Sequence, residues 1–177
     1  MERRIESMKT KVIKPPTTLP DIIHTGGFRP LSVFLAGSIE MGAAIDWQKT
    51  VTERIMDRAS YIFNPRRDDW NSTWHQDSPE FVKQVNWELD ALTMSHFIFM
   101  YFDPKTKSPI SLLELGLFAS RGKLIVCCPN GFWRKGNVDI VCQRYGNILF
   151  DDLNEAVYHL KERLIENRNY YFDKELE

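Results

Sequence analysis

Short apolar runs alternate with segments of helical length along most of the chain, and this alternation limits the possible folds more than any other feature. The five runs are Val33–Ala36, Tyr61–Phe63, Phe97–Phe102, Leu124–Cys128 and Ile148–Phe150. Short continuous apolar runs are typical of strands that are covered on both faces. We therefore predict an α/β, flavodoxin-like (Rossmann-like) three-layer sandwich, with a five-stranded parallel sheet in the order 2-1-3-4-5.

The intervening segments carry helix signals. The predicted helices run from about Ala44 to Ala59, from Ser78 past Leu92, from Ser108 to Ala119, from Val138 to Tyr145 and from Leu153 to about Asn167. The buried face of the first is expected to hold Ile45, Val51, Ile55 and Met56, and that of the second Phe81, Val85, Leu89 and Leu92. Ser78 followed by Pro79 is a typical helix start.

The length of 177 residues suits one compact domain. Residues 1–31 are rich in charge, Pro and Thr, and are predicted to form an extended arm without regular elements. The domain itself is expected over residues 32–168, with a polar tail over residues 169–177. One domain with two terminal extensions is the expected organisation.

Composition excludes several classes of partner. The net charge is −1, with 23 basic and 24 acidic residues and no long run of one sign, so neither a nucleic acid polymer nor a membrane surface is an expected partner. No apolar run approaches membrane-spanning length. Three cysteines without CxxC spacing indicate buried free thiols in a reducing compartment, so a cytoplasmic protein is expected.

Glu114 stands in the middle of an apolar helix that begins with Ser108 as a capping residue and Pro109 in its first turn. Large aliphatic residues surround most of this helix, which is therefore expected to be largely buried. A buried carboxylate needs a polar opening, a cation or a raised pKa. Glu114 is thus either a structural carboxylate, paired with an arginine or capping a loop, or a catalytic one.

In a parallel α/β sheet, ligands bind beyond the carboxyl ends of the strands. The segments expected there are 37–42, 64–77, 103–108 and 128–137. The residues in them that we select as substrate-binding candidates are Gly37, Ser38, Asn64, Arg66, Asp69, Trp70 and Ser108. Glu88, near the middle of the second helix, is a further candidate, although such a carboxylate is equally typical of a solvated helix face.

Several of these candidates have a simpler structural interpretation. Gly37-Ser38 can be a tight turn rather than a phosphate cradle, since the segment is neither GxGxxG nor a P-loop. Arg66 and Arg67 can clamp an anion, or be neutralised by Asp68 and Asp69 in the same loop. Trp70 and Trp74 can stack on a base or pack under the loop.

Metal and serine-hydrolase chemistry find no support in the sequence. The four histidines are scattered, without HxxxH or HExxH spacing, and GxSxG is absent. We therefore expect no metal and no cofactor.

Three segments together resemble the nucleoside 2-deoxyribosyltransferase family and its nucleotide N-glycosidase relatives. They are Val33–Ile39 on the first strand, Trp87-Glu88-Leu89 on the second helix, and Ser108–Gly116 with its Glu-Leu-Gly. The resemblance covers roughly residues 32–150. It implies an N-glycosidic transferase or hydrolase acting on a small nucleoside or nucleotide, without a cofactor.

The resemblance also implies roles for single residues. Glu114 matches the family nucleophile, which forms a covalent glycosyl ester with the sugar. Glu88 stands where the family has an acidic residue that contacts the nucleobase. Asn137 stands near the place where a neighbouring subunit completes the site, which implies a homodimer or a higher homo-oligomer.

The chain departs from the family pattern at three positions. Transferases have Asp where this chain has Ser108, and a serine there is typical of the monophosphate N-glycosidases, which use it on the 5′-phosphate. Those enzymes carry a basic residue where this chain has Glu40, which would repel a phosphate. The transferase tyrosine of the first strand corresponds to Phe34 or its neighbour. Nucleoside and nucleotide substrates both stay open.

Three hypotheses follow from the sequence. In the first, the protein is an enzyme that cleaves or exchanges N-glycosidic bonds, with Glu114 and Glu88 as its catalytic residues. In the second, it is a nucleotide-binding sensor that keeps the cleft but does no chemistry. In the third, it is a structural module in which Glu114 belongs to an internal ion pair.

Overall fold

The computed structural model of the chain describes residues 9–21, 30–39, 44–67 and 74–174, with side chains as far as residue 168. Its strands are β1 (Lys11–Ile13), β2 (Ser32–Gly37), β3 (Tyr61–Phe63), β4 (Phe97–Tyr101), β5 (Leu124–Cys127) and β6 (Ile148–Phe150). Its α-helices are α1 (Trp47–Ile55), α2 (Pro79–Met94), α3 (Pro109–Phe118), α4 (Lys135–Tyr145) and α5 (Leu153–Lys174). Strands and helices alternate from β2 onward, which confirms the predicted α/β class.

The strands form one parallel sheet in the order β1-β3-β2-β4-β5-β6. The last five positions of this order reproduce the predicted 2-1-3-4-5 arrangement. The predicted count of five strands is wrong by one, because β1 adds an edge strand beside β3, with Val12 opposite Ile62. All the prolines of the N-terminal segment follow β1 and do not interrupt it, so this short strand can form where no regular element was expected.

Two apolar layers enclose the sheet. One layer packs α2, α3 and α4 against side chains such as Phe34, Met100 and Val126. The other packs α1 and α5 against the opposite face of the same strands, including Leu35 and Ile125. This alternation of side chains puts each of the strands from β2 to β6 in contact with both layers, as the continuous apolar runs predict.

The first helix is shorter than predicted. The side chain of Asp46 accepts a hydrogen bond from the backbone N–H of Lys49 at 3.2 Å, and α1 begins after this cap. Ile45 and Met56 therefore lie outside the helix and are exposed, contrary to the prediction that both belong to its buried face.

The buried face of α2 is rotated from the predicted one. Val85 and Leu89 are exposed, whereas the buried residues are Gln84, Trp87, Ala91 and Leu92. Trp87 sets this rotation, because its ring packs near Phe34 and Phe63 while its indole N–H donates to the carbonyl of Thr17 at 2.8 Å. The rotation also turns Glu88 toward the interior.

The remaining expectations about the chain are met in part. The three cysteines are buried and free, as predicted. Helix α4 begins three residues earlier than predicted, at Lys135, and α5 continues beyond Asn167 to Lys174. Among the described residues, no helix is long and apolar enough to cross a membrane.

Candidate active site

Three hydroxyl groups meet at the carboxyl edge of the sheet. Ser38 follows β2, and Thr106 and Ser108 belong to the loop between β4 and α3. The Oγ atoms of Ser38 and Ser108 are 2.6 Å apart, and the Oγ1 of Thr106 lies 2.8 Å from each of them. All three side chains are buried. The structure thus brings together two predicted residues and adds Thr106, which was missed although it stands only two positions before Ser108.

The backbone around these hydroxyls holds them in place. The backbone N–H of Asp103 donates to Ser38 Oγ at 2.8 Å, and the indole N–H of Trp47 donates to the Ser38 carbonyl at 2.9 Å. Ser108 has φ +47° and ψ +53°, in the left-handed region that non-glycine residues rarely adopt. Its side chain does not cap α3 as predicted, because it faces the hydroxyl cluster instead.

Gly37 has a conformational role in this arrangement. Its φ is +134°, and a Cβ built on it would lie 2.1 Å from the carbonyl oxygen of Tyr101 on the neighbouring strand. Only glycine permits this approach of β2 to β4. The position of Ser38, the next residue, depends on it.

Glu88 and Glu114 form a second cluster, between α2 and α3. Glu114 is only 8% exposed. Burial raises the pKa of Glu114 to about 8, with a further contribution from the charge of Glu88. Burial also raises the pKa of Glu88 to about 7, against a lowering by a hydrogen bond from Gln84. The two carboxyl groups are therefore close enough to interact and titrate as a pair in the neutral range.

Among the residues that the structure describes, no Lys, Arg or His forms an ion pair with Glu88 or Glu114. Within the described residues, the Glu114 carboxylate accepts no hydrogen bond and forms no ion pair. The structural hypothesis of an internal ion pair at Glu114 thus finds no partner in this part of the chain. The solvated interpretation of Glu88 is wrong, because its carboxyl group is largely desolvated.

Gln84 is the residue of this cluster that sequence reasoning missed. It precedes Glu88 by one turn of α2, and its Nε2 donates to Glu88 Oε1 at 2.6 Å. The predicted buried face of α2 consisted only of apolar residues, so it did not include the side-chain amide of Gln84. The signal available was the i, i+4 spacing of Gln84 and Glu88.

Arg66 and Arg67 do not act as one clamp. Arg66 Nη1 donates to the carbonyl of Ile45 at 3.3 Å and to Gln48 Oε1 at 3.2 Å, on the side of α1. Arg67 Nη1 donates to Gln84 Oε1 at 3.4 Å, on the side of α2. Successive side chains of an extended segment point to opposite sides, which separates the two guanidinium groups.

The remaining candidates take different positions. Asn64 is buried at the end of β3, where its side-chain oxygen accepts from the backbone N–H of Arg66 at 3.0 Å. Trp74 packs against Arg67, whose Cζ lies 4.8 Å from the ring centroid. Asp69 and Trp70, like Asp68 and Glu40, lie outside the described residues.

Asn137 lies in a groove between α3 and α4. The groove has a volume of about 310 Å³. It is lined by Leu112, Leu115, Gly116, Arg134, Asn137, Val138 and Val141. Glu88 and Glu114 are not among these residues, and Asn137 is exposed. Within one described chain, Asn137 therefore belongs to a different surface from the carboxyl pair.

Among the side chains that the structure describes, as far as residue 168, no three His, Cys, Asp or Glu residues converge as metal ligands would. The sequence profile of one protein family, described as nucleoside 2-deoxyribosyltransferase like, matches residues 30–132. This match spans more than half of the chain and includes Ser38, Glu88, Ser108 and Glu114. No curated protein matches the chain.

Proposed function

Because this chain belongs to the nucleoside 2-deoxyribosyltransferase-like family, we propose that it cleaves or exchanges the N-glycosidic bond of (deoxy)nucleosides or nucleotides. The observation that carries this proposal is the pairing of the buried Glu114 with the partly buried Glu88, with no cationic side chain of the described residues beside them. A desolvated carboxylate is a stronger nucleophile than a hydrated one, and a buried pair of this kind is typical of glycosyl chemistry.

In the proposed reaction, a carboxylate oxygen of Glu114 attacks the anomeric carbon of the sugar. A bond forms between this oxygen and C1′ while the bond from C1′ to the base nitrogen breaks, and the base leaves with the electron pair and takes up a proton. Water or a second base then attacks C1′ from the other side and gives its proton to the Glu88 carboxylate, while the bond from C1′ to the Glu114 oxygen breaks and releases Glu114. The first acceptor gives hydrolysis and the second gives transfer.

The carboxyl pair suits this sequence of steps because it holds about one proton in the neutral range. The ionised member repels ionisation of the other, so one carboxylate and one carboxylic acid coexist. The pKa of Glu114, at about 8, is higher than that of Glu88, at about 7, so nucleophilic attack by Glu114 requires that the shared proton move to Glu88 when substrate binds. From there it is available for a hydrogen bond to the departing base or for transfer to it.

Ser38 and Ser108 are proposed to contact the sugar or a 5′-phosphate, and Thr106 supports both hydroxyl groups. Hydroxyl groups can donate to a phosphate or to a sugar oxygen, so the cluster suits nucleosides and nucleotides alike. Gly37 contributes by fixing the position of Ser38. Asn64, Arg66, Asp69 and Trp70 are proposed to line the cleft from the loop that follows β3.

We further propose that two copies of the chain associate through α3 and α4, as a homodimer or within a larger assembly. Ile110, Leu113 and Leu117 follow one another along the outer face of α3 and are 60%, 59% and 50% exposed. Ile140 on α4 is 65% exposed. Such a continuous apolar surface is typical of an interface, and Asn137 lies in the adjoining groove, where it can reach the site of the other copy.

The test is chromatography of ribo- and deoxynucleosides and their 5′-monophosphates after incubation with the protein, with and without a free acceptor base. We expect free base with the wild type, no product with Glu114→Gln, and normal turnover with Glu162→Gln, which alters an exposed carboxylate on α5. Product that depends on the acceptor identifies a transferase. Turnover by Glu114→Gln would contradict the proposal, and ligands that bind without any product would favour the non-catalytic sensor.

A further inference from the structure

The side-chain amide of Gln84 is buried and fully engaged. Gln84 is only 4% exposed. Its Nε2 donates to Glu88 Oε1 at 2.6 Å and to the carbonyl oxygen of Pro65 at 3.3 Å. Its Oε1 accepts from Nη1 of Arg67 at 3.4 Å. Both amide N–H groups and the amide oxygen therefore have partners of the correct kind.

These partners leave the amide only one orientation. A glutamine turned by 180° would set its oxygen against the carboxylate of Glu88 and the carbonyl of Pro65, and its NH₂ group against the guanidinium of Arg67. Every one of these contacts would then be repulsive. Arg67 thus fixes the direction in which Gln84 donates.

The consequence for Glu88 is that its two oxygens are not equivalent. Oε1 accepts from Gln84, whereas Oε2 has no hydrogen bond within the described residues. Oε2 is also not among the enclosed polar atoms that lack a partner, so it reaches an opening. A carboxylic acid accepts best through its carbonyl oxygen, so when Glu88 is protonated, the Gln84 contact at Oε1 places its proton on Oε2.

We propose that Gln84, oriented by Arg67, is a positioning residue that holds Glu88 Oε1 and presents Oε2, with its proton, to the bound nucleobase. The nucleobase in this inference rests on the proposed function, whereas the positioning of Glu88 rests on hydrogen bonds within one chain. The role is distinct from contact with substrate, since Gln84 acts only through Glu88. Arg67 orients the Gln84 amide, whereas Arg66 lies on the other side of the segment and does not contact it.

The charged groups that act on Glu88 in the described part of the chain are few. Glu114 on α3 interacts with it, and the charge of Glu88 contributes to the raised pKa of Glu114. Arg67 lies one hydrogen bond away, beyond Gln84. Burial raises the pKa of Glu88 to about 7, and the Gln84 hydrogen bond lowers it. Removing this bond must therefore raise the pKa of Glu88.

The test compares Gln84→Met, which keeps the bulk of the side chain but loses the amide, with Asn86→Leu on the exposed side of the same helix. Asn86 donates only to the carbonyl of Val82 in its own helix. The first readout is the titration of Glu88 in ¹³C-glutamate-labelled protein, assigned by the signal lost in Glu88→Gln. The second readout is the pH dependence of kcat/KM.

We expect Gln84→Met to raise the pKa of Glu88 by about one unit and to lower kcat/KM roughly 10- to 100-fold, the range for a lost hydrogen bond to a charged group. The limb of the pH profile that reflects Glu88 should move to higher pH by the same amount. Asn86→Leu should match the wild type in both readouts. An unchanged Glu88 titration in Gln84→Met overturns the proposal.

A second variant keeps the test valid if Gln84→Met does not fold. Arg67→Met leaves the core of α2 intact and frees the amide to turn, so it should shift the Glu88 titration in the same direction by a smaller amount. A Glu88 titration identical to the wild type would again count against positioning. If the wild-type protein releases no base from any substrate, the proposed function fails, while the titration still tests the role of Gln84.

Discussion

Helices α1 and α3 both pack on the sheet, yet they distribute their residues in opposite ways. Helix α1 turns its large apolar residues Trp47, Val51 and Ile55 inward, which is the usual arrangement for a helix on a sheet, although it also buries Gln48 and Thr52. Helix α3 buries Ser111 and Glu114 together with two apolar residues, and it exposes three large aliphatic ones. The two helices therefore differ in where their large aliphatic residues lie, since those of α1 face the sheet and three of those of α3 face outward.

The residues of α3 therefore suit contacts with molecules other than their own chain. A carboxylate turned inward without a described partner destabilises the folded protein unless a ligand or reaction requires it. Large aliphatic residues turned outward gain nothing in a monomer. The proposed substrate on the inner side and the proposed second copy on the outer side would together explain the two faces of α3.

The largest expected change in stability comes from α1. Ile55 is completely buried against the sheet and α5, and Ile55→Ala should lower the free energy of unfolding by about 2–5 kcal/mol at any pH. Urea denaturation of the wild type and Ile55→Ala at pH 5 and pH 8 measures this loss of unfolding free energy. A loss of less than about 1 kcal/mol would contradict the view that the buried apolar face of α1 stabilises the fold of the single chain.

The second change has the opposite sign and depends on pH. The folded-state pKa of Glu114 is raised to about 8 from 4.5, so the folded protein binds this proton more tightly than the unfolded chain. Stability therefore falls as pH rises from about 4.5 to 8. Glu114→Gln keeps the shape without the charge, and it should be more stable than the wild type at pH 8, by on the order of a few kcal/mol, and similar at pH 4.

Denaturation curves of the wild type and Glu114→Gln across this pH range provide the measurement. Glu162→Gln on α5 is the matched control, since its exposed carboxylate should give no such difference. Lower stability of Glu114→Gln at pH 8 would show that the Glu114 carboxylate stabilises the fold. In that case the inner face of α3 would be as conventional as that of α1.

The sequence allowed the sheet, its strand order and the carboxyl-edge loops to be predicted because each depends on local apolar runs and on general rules of α/β topology. The joining of Ser38 and Ser108 followed from the same rules. Strand β1 was not predictable, since a three-residue strand beside prolines has no distinctive pattern and forms only through its pairing with β3.

Which face of a helix is buried proved harder to predict than where the helix lies. In α2, Val85 and Leu89 had the spacing of a buried face, but Trp87 packs inward and turns both of them to the surface. In α3, five aliphatic residues predicted a largely buried helix, namely Ile110, Leu112, Leu113, Leu115 and Leu117. Ile110, Leu113 and Leu117 are exposed. A sequence records that residues are apolar, and it does not say whether their own chain or another molecule covers them.

The smallest effect on the folding of one chain, and the sharpest test of the outer face, is expected from Leu113 and Leu117. Both are at least half exposed, so Leu113→Asp with Leu117→Asp should change the stability of an isolated chain by no more than about 0.5 kcal/mol per site. If a second copy covers this face, the same substitutions bury charges in an apolar interface and prevent association. Sedimentation of the wild type and the double variant over a range of concentrations separates these effects.

We expect an oligomeric wild type and a folded, monomeric variant that has lost the contribution of Asn137 to the neighbouring site. A wild type that sediments as a monomer at all concentrations would leave the outer face of α3 without the partner proposed for it, and the explanation of α3 would then hold for its inner face alone.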